Sequence, residues 1–404
     1  MSLSLRAGFA KEAITPGREC SLVGYAFRFE AFGSGHEGVL DPLFARAVYV
    51  EGEGGLGYLL IALDLCVLET ALATDLRDRL GSALDLPAGH IVLACSHTHS
   101  GPFPQLAEEG GLETPQLQRG SAPAEANVAY AAFLLDVLIR VCRKARGLTE
   151  PISVHFAEFL CEFGYQRRVS TPAGLRVCWN VFETPERPPV RQPDPTVSAL
   201  VLRQASGRLL VLWSAGVHPV CLGKTSNVVS ADWPGRANAL LAEWLPCAEG
   251  LYFHGAAGEV HPFIATQDRA DPLGVVGRAV AAPLALAART ARPVEAGAVT
   301  HAAVPLPGDA GGGMVTLLRM GPVALVFLPV ELFASLGLRV RRAFQHPVFF
   351  STVSNGWEGY WPDEAAFADG GYEVDAARSR GRGERDGEDL ADLLIHALRK
   401  AGHT

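Results

Sequence analysis

Short apolar runs alternate with longer mixed segments at the start of the chain. The runs at residues 45–51 and 58–65 are apolar and β-branched, and they predict two strands joined by a Gly-rich turn. A helical pattern follows at residues 68–84, and the apolar run at 90–95 predicts a third strand. Directly after this strand comes the polar segment SHTHSGP at residues 96–102. We therefore expect a loop with functional side chains at the end of this strand.

The same alternation continues to the end of the chain. Strands are predicted at residues 152–159, 197–203, 209–216, 251–253 and 323–328, and helices at 125–146, 236–245 and 386–400. Residues 329–331 (PVE) are expected to open a further helix that runs to residue 344. Strands alternate with helices, hairpin-like pairs also occur, and neither an internal repeat nor a linker is visible. This pattern predicts an α/β fold of the mixed α+β kind, with β-sheets flanked by helices in one large catalytic domain over residues 1–404.

One long segment matches neither pattern. Residues 105–121 are rich in Gly, Gln, Glu and Pro, which predicts a loop over the SHTHSGP region. A lid over the site and an ordinary surface loop are both consistent with this composition.

Composition narrows the class of protein. The chain is 49% hydrophobic and 19% charged, which is typical of a protein with a large buried interior. A net charge of -8 without a dense basic patch argues against nucleic acid as a partner. We find no uninterrupted apolar run of membrane-spanning length and no signal peptide, so we expect no transmembrane segment and a cytoplasmic location. No oligomeric state is indicated.

The cysteines and histidines suggest different chemistry. The eight cysteines are scattered without a CxxC pair, so reduced, buried thiols are expected rather than disulfides or a cysteine zinc site. His97 and His99 would project to one side of a strand-like backbone, and His218 follows another apolar strand. Glu331 stands at a strand-to-helix junction. Each residue also has an ordinary structural reading, but two or three imidazoles with a carboxylate form the usual catalytic zinc set.

The chain also resembles a known protein family. Five segments, in order, are similar to the catalytic domain of the neutral (non-lysosomal) ceramidases, and SHTHSGP is the most specific of them. The others are residues 7–16 (AGFAKEAITP), 24–26 (GYA), 45–47 (ARA) and the late stretch from Pro329 to Glu373. The resemblance implies a neutral-ceramidase-like fold without the C-terminal β-sandwich extension. It also implies a zinc-dependent hydrolase that cleaves an amide (N-acyl) bond with metal-activated water.

The resemblance also assigns roles to individual residues. It implies that zinc is bound by His97, His218, Glu331 and Tyr360. It implies that the amide is polarised and positioned by His99, Arg167 and Tyr372. For Asp64, at the end of a strand, we expect either a carboxylate that orients a ligand histidine or a helix N-cap.

Three departures from the family pattern affect the site. His261, in the run GEVHP, stands where ceramidases have a serine described as a nucleophile, so a covalent serine route is closed here. We keep His261 as a candidate catalytic residue, and a proton carrier, a substrate contact, an extra metal ligand and a pocket wall all remain open. The family histidine near Leu40 is absent, and His36 is displaced from that place. Arg167 is followed by Arg168, which leaves open which arginine faces the site.

These features favour one function and keep two others open. The leading hypothesis is a zinc-dependent amidohydrolase that acts on a small-molecule amide or a lipid-like substrate. The alternatives are a metal-dependent esterase or other hydrolase of a soluble substrate, and a non-catalytic binding protein that retains the pocket.

Overall fold

The computed structural model describes residues 5–25, 28–52, 55, 57–106, 125–181, 194–295, 297–308 and 312–403. The loop predicted at residues 105–121 lies outside these ranges except for its first two residues.

The described residues form strands and helices in alternation, with several strands of only two to four residues. The strands are β1 (Arg6–Ala13), β2 (Gly38–Val39), β3 (Phe44–Glu51), β4 (Gly57–Leu63), β5 (Ile91–Cys95), β6 (Glu150–Leu160), β7 (Gly164–Gln166), β8 (Arg168–Thr171), β9 (Gly174–Val177), β10 (Thr196–Gln204), β11 (Leu209–Ala215), β12 (Val228–Val229), β13 (Ala248–His254), β14 (Val260–Pro262), β15 (Arg292–Pro293), β16 (Val299–Pro305), β17 (Met314–Met320), β18 (Val323–Phe327), β19 (Glu331–Leu332), β20 (Val348–Ser351) and β21 (Tyr360–Trp361). The helices are α1 (Arg28–Phe32), α2 (Thr70–Leu84), α3 (Glu125–Gly147), α4 (Asp232–Trp244), α5 (Asp271–Thr290), α6 (Ala334–Arg342), α7 (Glu364–Asp369), α8 (Tyr372–Ser379) and α9 (Asp386–Lys400).

The largest sheet has nine strands, in the order β13-β11-β10-β6-β1-β3-β4-β5, with β15 added beside β6. Two of its pairs are parallel, β4 with β5 and β11 with β13, and the other pairs are antiparallel. Parallel neighbours need a crossover, which α2 and α4 supply. Each half of the sheet is thus an antiparallel pair followed by a helical crossover to an outer strand. The sequence shows no internal repeat that corresponds to this repeated topology.

The alternation of side chains along the strands builds a four-layer structure. In β3, Ala47 and Tyr49 face the core shared with α2 and α3, while Val48 and Val50 face the opposite way. That opposite face packs on a second sheet, in the order β16-β17-β18-β20. Helices α4 and α5 cover the other half of the large sheet, and α6, α8 and α9 cover the outer face of the second sheet. The layers therefore run helix, sheet, sheet, helix.

This architecture confirms the predicted mixed α/β fold with several sheets flanked by helices. One local prediction is wrong: the helix expected to open at residues 329–331 begins at Ala334 and ends at Arg342. Glu331 instead lies in the short strand β19, because its N–H donates to the carbonyl of Gly359 and it pairs with Tyr360. The eight cysteines are free thiols, as expected, and six of them are buried.

Helix α5 was not predicted, because Pro283 in its interior and two glycines in its first turns interrupt the helical pattern. Among the described residues, only this helix is long and apolar enough to cross a membrane, and half of its most apolar 18-residue window is buried inside the fold. Its buried face, with Leu273, Val276 and Val280, belongs to the core that it shares with α4. We expected no membrane-spanning segment, and α5 departs from this expectation by its length and composition alone.

Candidate active site

The candidate site forms where the two outer strands of the large sheet meet. The segment at residues 352–355 lies between them: Val353 accepts a hydrogen bond from the Cys95 N–H at 3.1 Å, and the Thr352 N–H donates to the carbonyl of His254 at 2.6 Å. The end of β5, which leads to His97, is thereby held next to the end of β13. The rings of His97 and His254 are 5.0 Å apart.

His97 and His99 converge, although not through the strand-like backbone expected from their spacing. Strand β5 ends at Cys95, and His97 has a left-handed φ of 66°. The His97 N–H donates to the carbonyl of Leu65 at 2.9 Å, which holds this unusual conformation. The Nε2 atoms of His97 and His99 lie 3.4 Å apart. A strained residue therefore turns both rings toward one point.

The tautomers of two histidines follow from their neighbours. The Nδ1–H of His97 donates to the carbonyl of Cys66 at 3.0 Å, and the Nδ1–H of His218 donates to the carbonyl of Ala257 at 2.7 Å. In the neutral form of each ring, Nε2 therefore carries the lone pair. This backbone anchoring of Nδ1 is the usual arrangement for a histidine that binds metal through Nε2.

Glu331 completes a set of three donors. Its Oε1 accepts a hydrogen bond from Trp357 Nε1 at 2.8 Å, while its Oε2 lies 3.3 Å from Nε2 of both His97 and His218. Each of the three residues is at most 3% exposed. Within the described residues, His218 Nε2 and Glu331 Oε2 are buried and lack a hydrogen-bond partner. Buried orphan lone pairs are costly, and a divalent cation would satisfy all of them, so the donor set fits zinc.

A second group of potential ligands shares His97. It consists of Cys66, His97 and His99, and its ligand atoms also lie within 4.8 Å of one another. The Cys66 sulfur, however, lies 3.8 Å from Nδ1 of His97, the nitrogen that is bonded to the Cys66 carbonyl. The thiol therefore lies on the Nδ1 side of the His97 ring, whereas Glu331 lies on the Nε2 side.

The electrostatics of the donor set favour cation binding. Burial lowers the pKa of His218 to about 4, so its ring is neutral at pH 7 and its lone pair is available. Burial opposes a charge on His97, but the Glu331 carboxylate outweighs it and raises the pKa of His97 well above the usual value. Burial likewise opposes ionisation of Glu331, but the charge of His97 holds its pKa well below the usual range. A cation would replace the proton that stabilises this pair.

The two arginines have different surroundings. Arg167 is 2% exposed and donates from Nε to Glu373 at 2.7 Å, from Nη1 to His261 Nε2 at 2.8 Å and from Nη2 to the Tyr360 hydroxyl at 3.3 Å. Arg168 donates to the other oxygen of Glu373 at 2.7 Å and to two backbone carbonyls. Arg167 is thus the arginine beside the candidate site residues, and Arg168 supports Glu373 from the other side.

Aromatic side chains surround Arg167. The pairing of β19 with β21 sets Tyr360 opposite Glu331, and the rings of Tyr360 and Tyr372 are 5.8 Å apart. Burial raises the pKa of Tyr372 to about 12 and that of Tyr360 well above its usual value, so both phenols are protonated at neutral pH. Trp179 is 43% exposed and lies 5.3 Å from the Tyr372 ring. Arg167 and these three rings form a cluster, the Arg167 cluster, which adjoins the donor set through the pairing of Tyr360 with Glu331.

Asp64 does not have either of its expected roles. Its carboxylate pairs with Arg46 at 2.8 Å and accepts the N–H of Phe44 at 2.9 Å. His97 and His218 bond to backbone carbonyls instead, and α2 begins after Glu69, so Asp64 is no N-cap. His36 also lies apart from the donor set, bonded to the carbonyls of Gly17 and Gly38.

Three contributors to the site were missed by sequence reasoning. His254 could have been noticed, because it ends an apolar strand before a Gly-rich turn, much as His218 does. Trp357 lies inside the late stretch that resembles ceramidases, but nothing in the pattern indicates that its indole bonds Glu331. The carbonyl of Cys66 has no sequence signal, since any residue offers one.

Comparison with known proteins places the fold. No protein-family model and no curated protein sequence matches the chain. The solved structure of a ceramidase complexed with C2 superposes with a TM-score of 0.77 at 17% identity, covering 99% of this chain and 76% of the other. A neutral ceramidase from Pseudomonas aeruginosa superposes with a TM-score of 0.74 at 18% identity, covering 99% and 75% respectively. The chain therefore has a neutral-ceramidase-like fold.

Proposed function

We propose that this protein is a zinc-dependent hydrolase that cleaves an amide (N-acyl) bond with metal-activated water. One observation carries the proposal: Nε2 of His97, Nε2 of His218 and a carboxylate oxygen of Glu331 are buried within 4.8 Å of one another, and the atoms of His218 and Glu331 lack a hydrogen-bond partner. Catalytic zinc typically has three such ligands and an open position for water, and it can expand to five ligands. The likeness in fold to ceramidases, whose name denotes hydrolysis of the ceramide amide, supports an amide as the substrate.

His97, His218 and Glu331 would hold the metal, with the Tyr360 hydroxyl beside them as the fourth ligand implied by the family resemblance. When bound, zinc supplies Lewis acidity and brings the pKa of a coordinated water from 15.7 to about 7. The burial of all these side chains keeps bulk water away from the donor set and strengthens its electrostatic interactions.

Other residues act on the substrate and its protons. Burial lowers the pKa of His99 well below its usual value, so its ring is neutral and can donate an N–H to the carbonyl oxygen as charge develops there. The protonated Tyr372 phenol is a proton donor for the leaving nitrogen as the bond from water oxygen to carbonyl carbon forms and the C–N bond breaks. Arg167 orients polar groups of the substrate.

A chelation experiment tests the proposal. Protein treated with a chelator should lose hydrolysis of N-acyl amides of varied chain length and regain it when zinc is returned. His99→Ala should lower kcat while zinc stays bound. His301→Ala, which alters a partly buried histidine whose ring lies near those of Tyr58 and His90, should behave as wild type. Amide hydrolysis that is indifferent to chelation would overturn the proposal. Hydrolysis of matched esters alone would favour the esterase, and binding of amides without turnover would favour the binding protein.

A further inference from the structure

His261 lies between the metal donor set and the Arg167 cluster. It belongs to β14, opposite Tyr165 of β7, and is 1% exposed. Its ring is 5.8 Å from the rings of both His218 and Trp179. The position where the resemblance places a serine in ceramidases is thus filled by a buried imidazole that is hydrogen-bonded to Arg167.

The hydrogen bond from Arg167 determines which nitrogen of His261 carries the proton. A guanidinium has N–H donors and no acceptor. Arg167 Nη1 lies 2.8 Å from His261 Nε2, so Nε2 must accept and the proton must be on Nδ1. Burial lowers the pKa of His261 well below its usual value, and the charge of Arg167 adds to this, which keeps the ring neutral. The Nε2 lone pair is therefore engaged and cannot serve a metal or a substrate proton at the same time.

The same contact completes the anchoring of Arg167. The guanidinium is held by the Glu373 carboxylate, the His261 imidazole and the Gly258 carbonyl, the last at 2.9 Å. With these anchors, its Nη2 donates to the Tyr360 hydroxyl, and Tyr360 is paired with Glu331 across β19 and β21. A connected path thus runs from His261 through Arg167 to Tyr360 at the metal donors. A serine at position 261 has a shorter side chain than histidine and would leave Nη1 without this acceptor.

We propose that His261 is a positioning residue, an imidazole acceptor that fixes Arg167 against Tyr360, rather than a nucleophile, a general base or a metal ligand. The inference rests on the proposed function for its catalytic consequence, but the tautomer and the contact stand apart from any substrate. Because the bond involves a charged donor, its loss should lower kcat/KM by about 10- to 100-fold.

The test compares two variants of the zinc-loaded protein. His261→Leu removes the acceptor, whereas the side-chain oxygen of His261→Gln reaches the position of Nε2 and can still accept from Arg167. We expect His261→Leu to lower kcat/KM, chiefly through kcat, with zinc content unchanged, and His261→Gln to recover most of the activity. Loss of zinc in both variants would identify a metal ligand, and equal impairment of both with zinc retained would identify another role. Either outcome overturns the proposal, as would full activity in both. The matched control is His155→Gln, at a partly exposed histidine on β6.

Nitrogen NMR gives a readout that needs no substrate. Long-range proton–nitrogen correlations of protein labelled with ¹⁵N-histidine, with His261 assigned through its loss in His261→Gln, should show a protonated Nδ1 and an unprotonated Nε2. A proton on Nε2 would overturn the proposal. If the wild-type protein hydrolyses no amide at all, the proposed function fails, while this measurement still decides the role of His261.

Discussion

The buried carboxylate of Glu373 offers a direct test of how Arg167 and Arg168 are held beside the site. It lies between two arginines, at 2.7 Å from Arg167 Nε and 2.7 Å from Arg168 Nη1, and is fully buried. Glu373→Gln keeps the shape of the side chain but leaves two buried cations without a counter-charge. It also turns an amide N–H toward a guanidinium, so the site is destabilised from both sides.

The magnitude follows from the burial. Removing one partner of a buried ion pair costs about 3–5 kcal/mol. An unfolding entropy of about 2.1 cal/mol/K per residue over 404 residues amounts to about 0.85 kcal/mol/K. The melting temperature should therefore fall by about 4–6 °C at pH 7, as measured by differential scanning calorimetry with zinc present.

The effect should depend on pH in a defined direction. Burial opposes ionisation of Glu373, but the charges of Arg167 and Arg168 outweigh it and lower its pKa below the ordinary 4.5. A carboxyl group whose pKa is lower in the folded than in the unfolded chain stabilises the fold above the unfolded pKa, and this stabilisation is lost as the pH falls through the folded pKa. The difference in melting temperature between wild type and Glu373→Gln should thus be full at neutral pH and shrink below about pH 4.5.

The control is the same substitution in an exposed ion pair. Glu364 pairs with Arg385 at 3.0 Å, with more than half of each side chain exposed. Glu364→Gln should shift the melting temperature by about 1 °C or less. If Glu373→Gln melts within 1 °C of wild type, or if the gap between them widens on acidification, the reasoning about the buried arginine pair is refuted.

Two further substitutions test the neighbours of the metal donors. Trp357→Phe removes the N–H that Glu331 Oε1 accepts at 2.8 Å, so zinc affinity measured by chelator competition should fall about 10- to 100-fold, and unchanged affinity would contradict this. Gly24→Ala places a Cβ about 2.5 Å from Cγ of His99 at a backbone φ of 113°, so His99 must shift. Its kcat should fall about 10- to 100-fold while metal content by mass spectrometry stays constant, and loss of zinc would show that the disturbance reaches the donors.

Most strands and helices could be predicted from local sequence patterns. Strands β3, β4, β5, β10 and β11 and helix α9 lie within a few residues of their predicted places, because their buried positions produce the apolar runs and periodicity that the sequence displays. Helix α5 escaped detection because its Pro and Gly residues weaken the helical signal, although its apolar face is well packed. Whether a segment is a strand or a helix could therefore be predicted where its burial pattern and its intrinsic secondary-structure propensity agree.

Contacts between residues that are far apart in the sequence could not be predicted in the same way. Asp64 follows β4, and the register of β3 with β4 brings Arg46 and Phe44 to its carboxylate, a contact that no local pattern indicates. The meeting of β5 and β13 through residues 352–355 is equally non-local. His97, His218 and Glu331 could be predicted as candidates because zinc restricts the residue types and because the resemblance to ceramidases implies these positions, whereas the contact of His261 with Arg167 depends on the pairing of β14 with β7.

Metal content measured by mass spectrometry, on protein purified without added metal, tests the central claim most directly. We expect about one zinc per chain in the wild type, loss of that zinc in both His97→Ala and His218→Ala, and retention in His155→Ala. Protein that contains no zinc and takes up none when zinc is supplied would contradict the account, as would zinc that persists in both ligand variants.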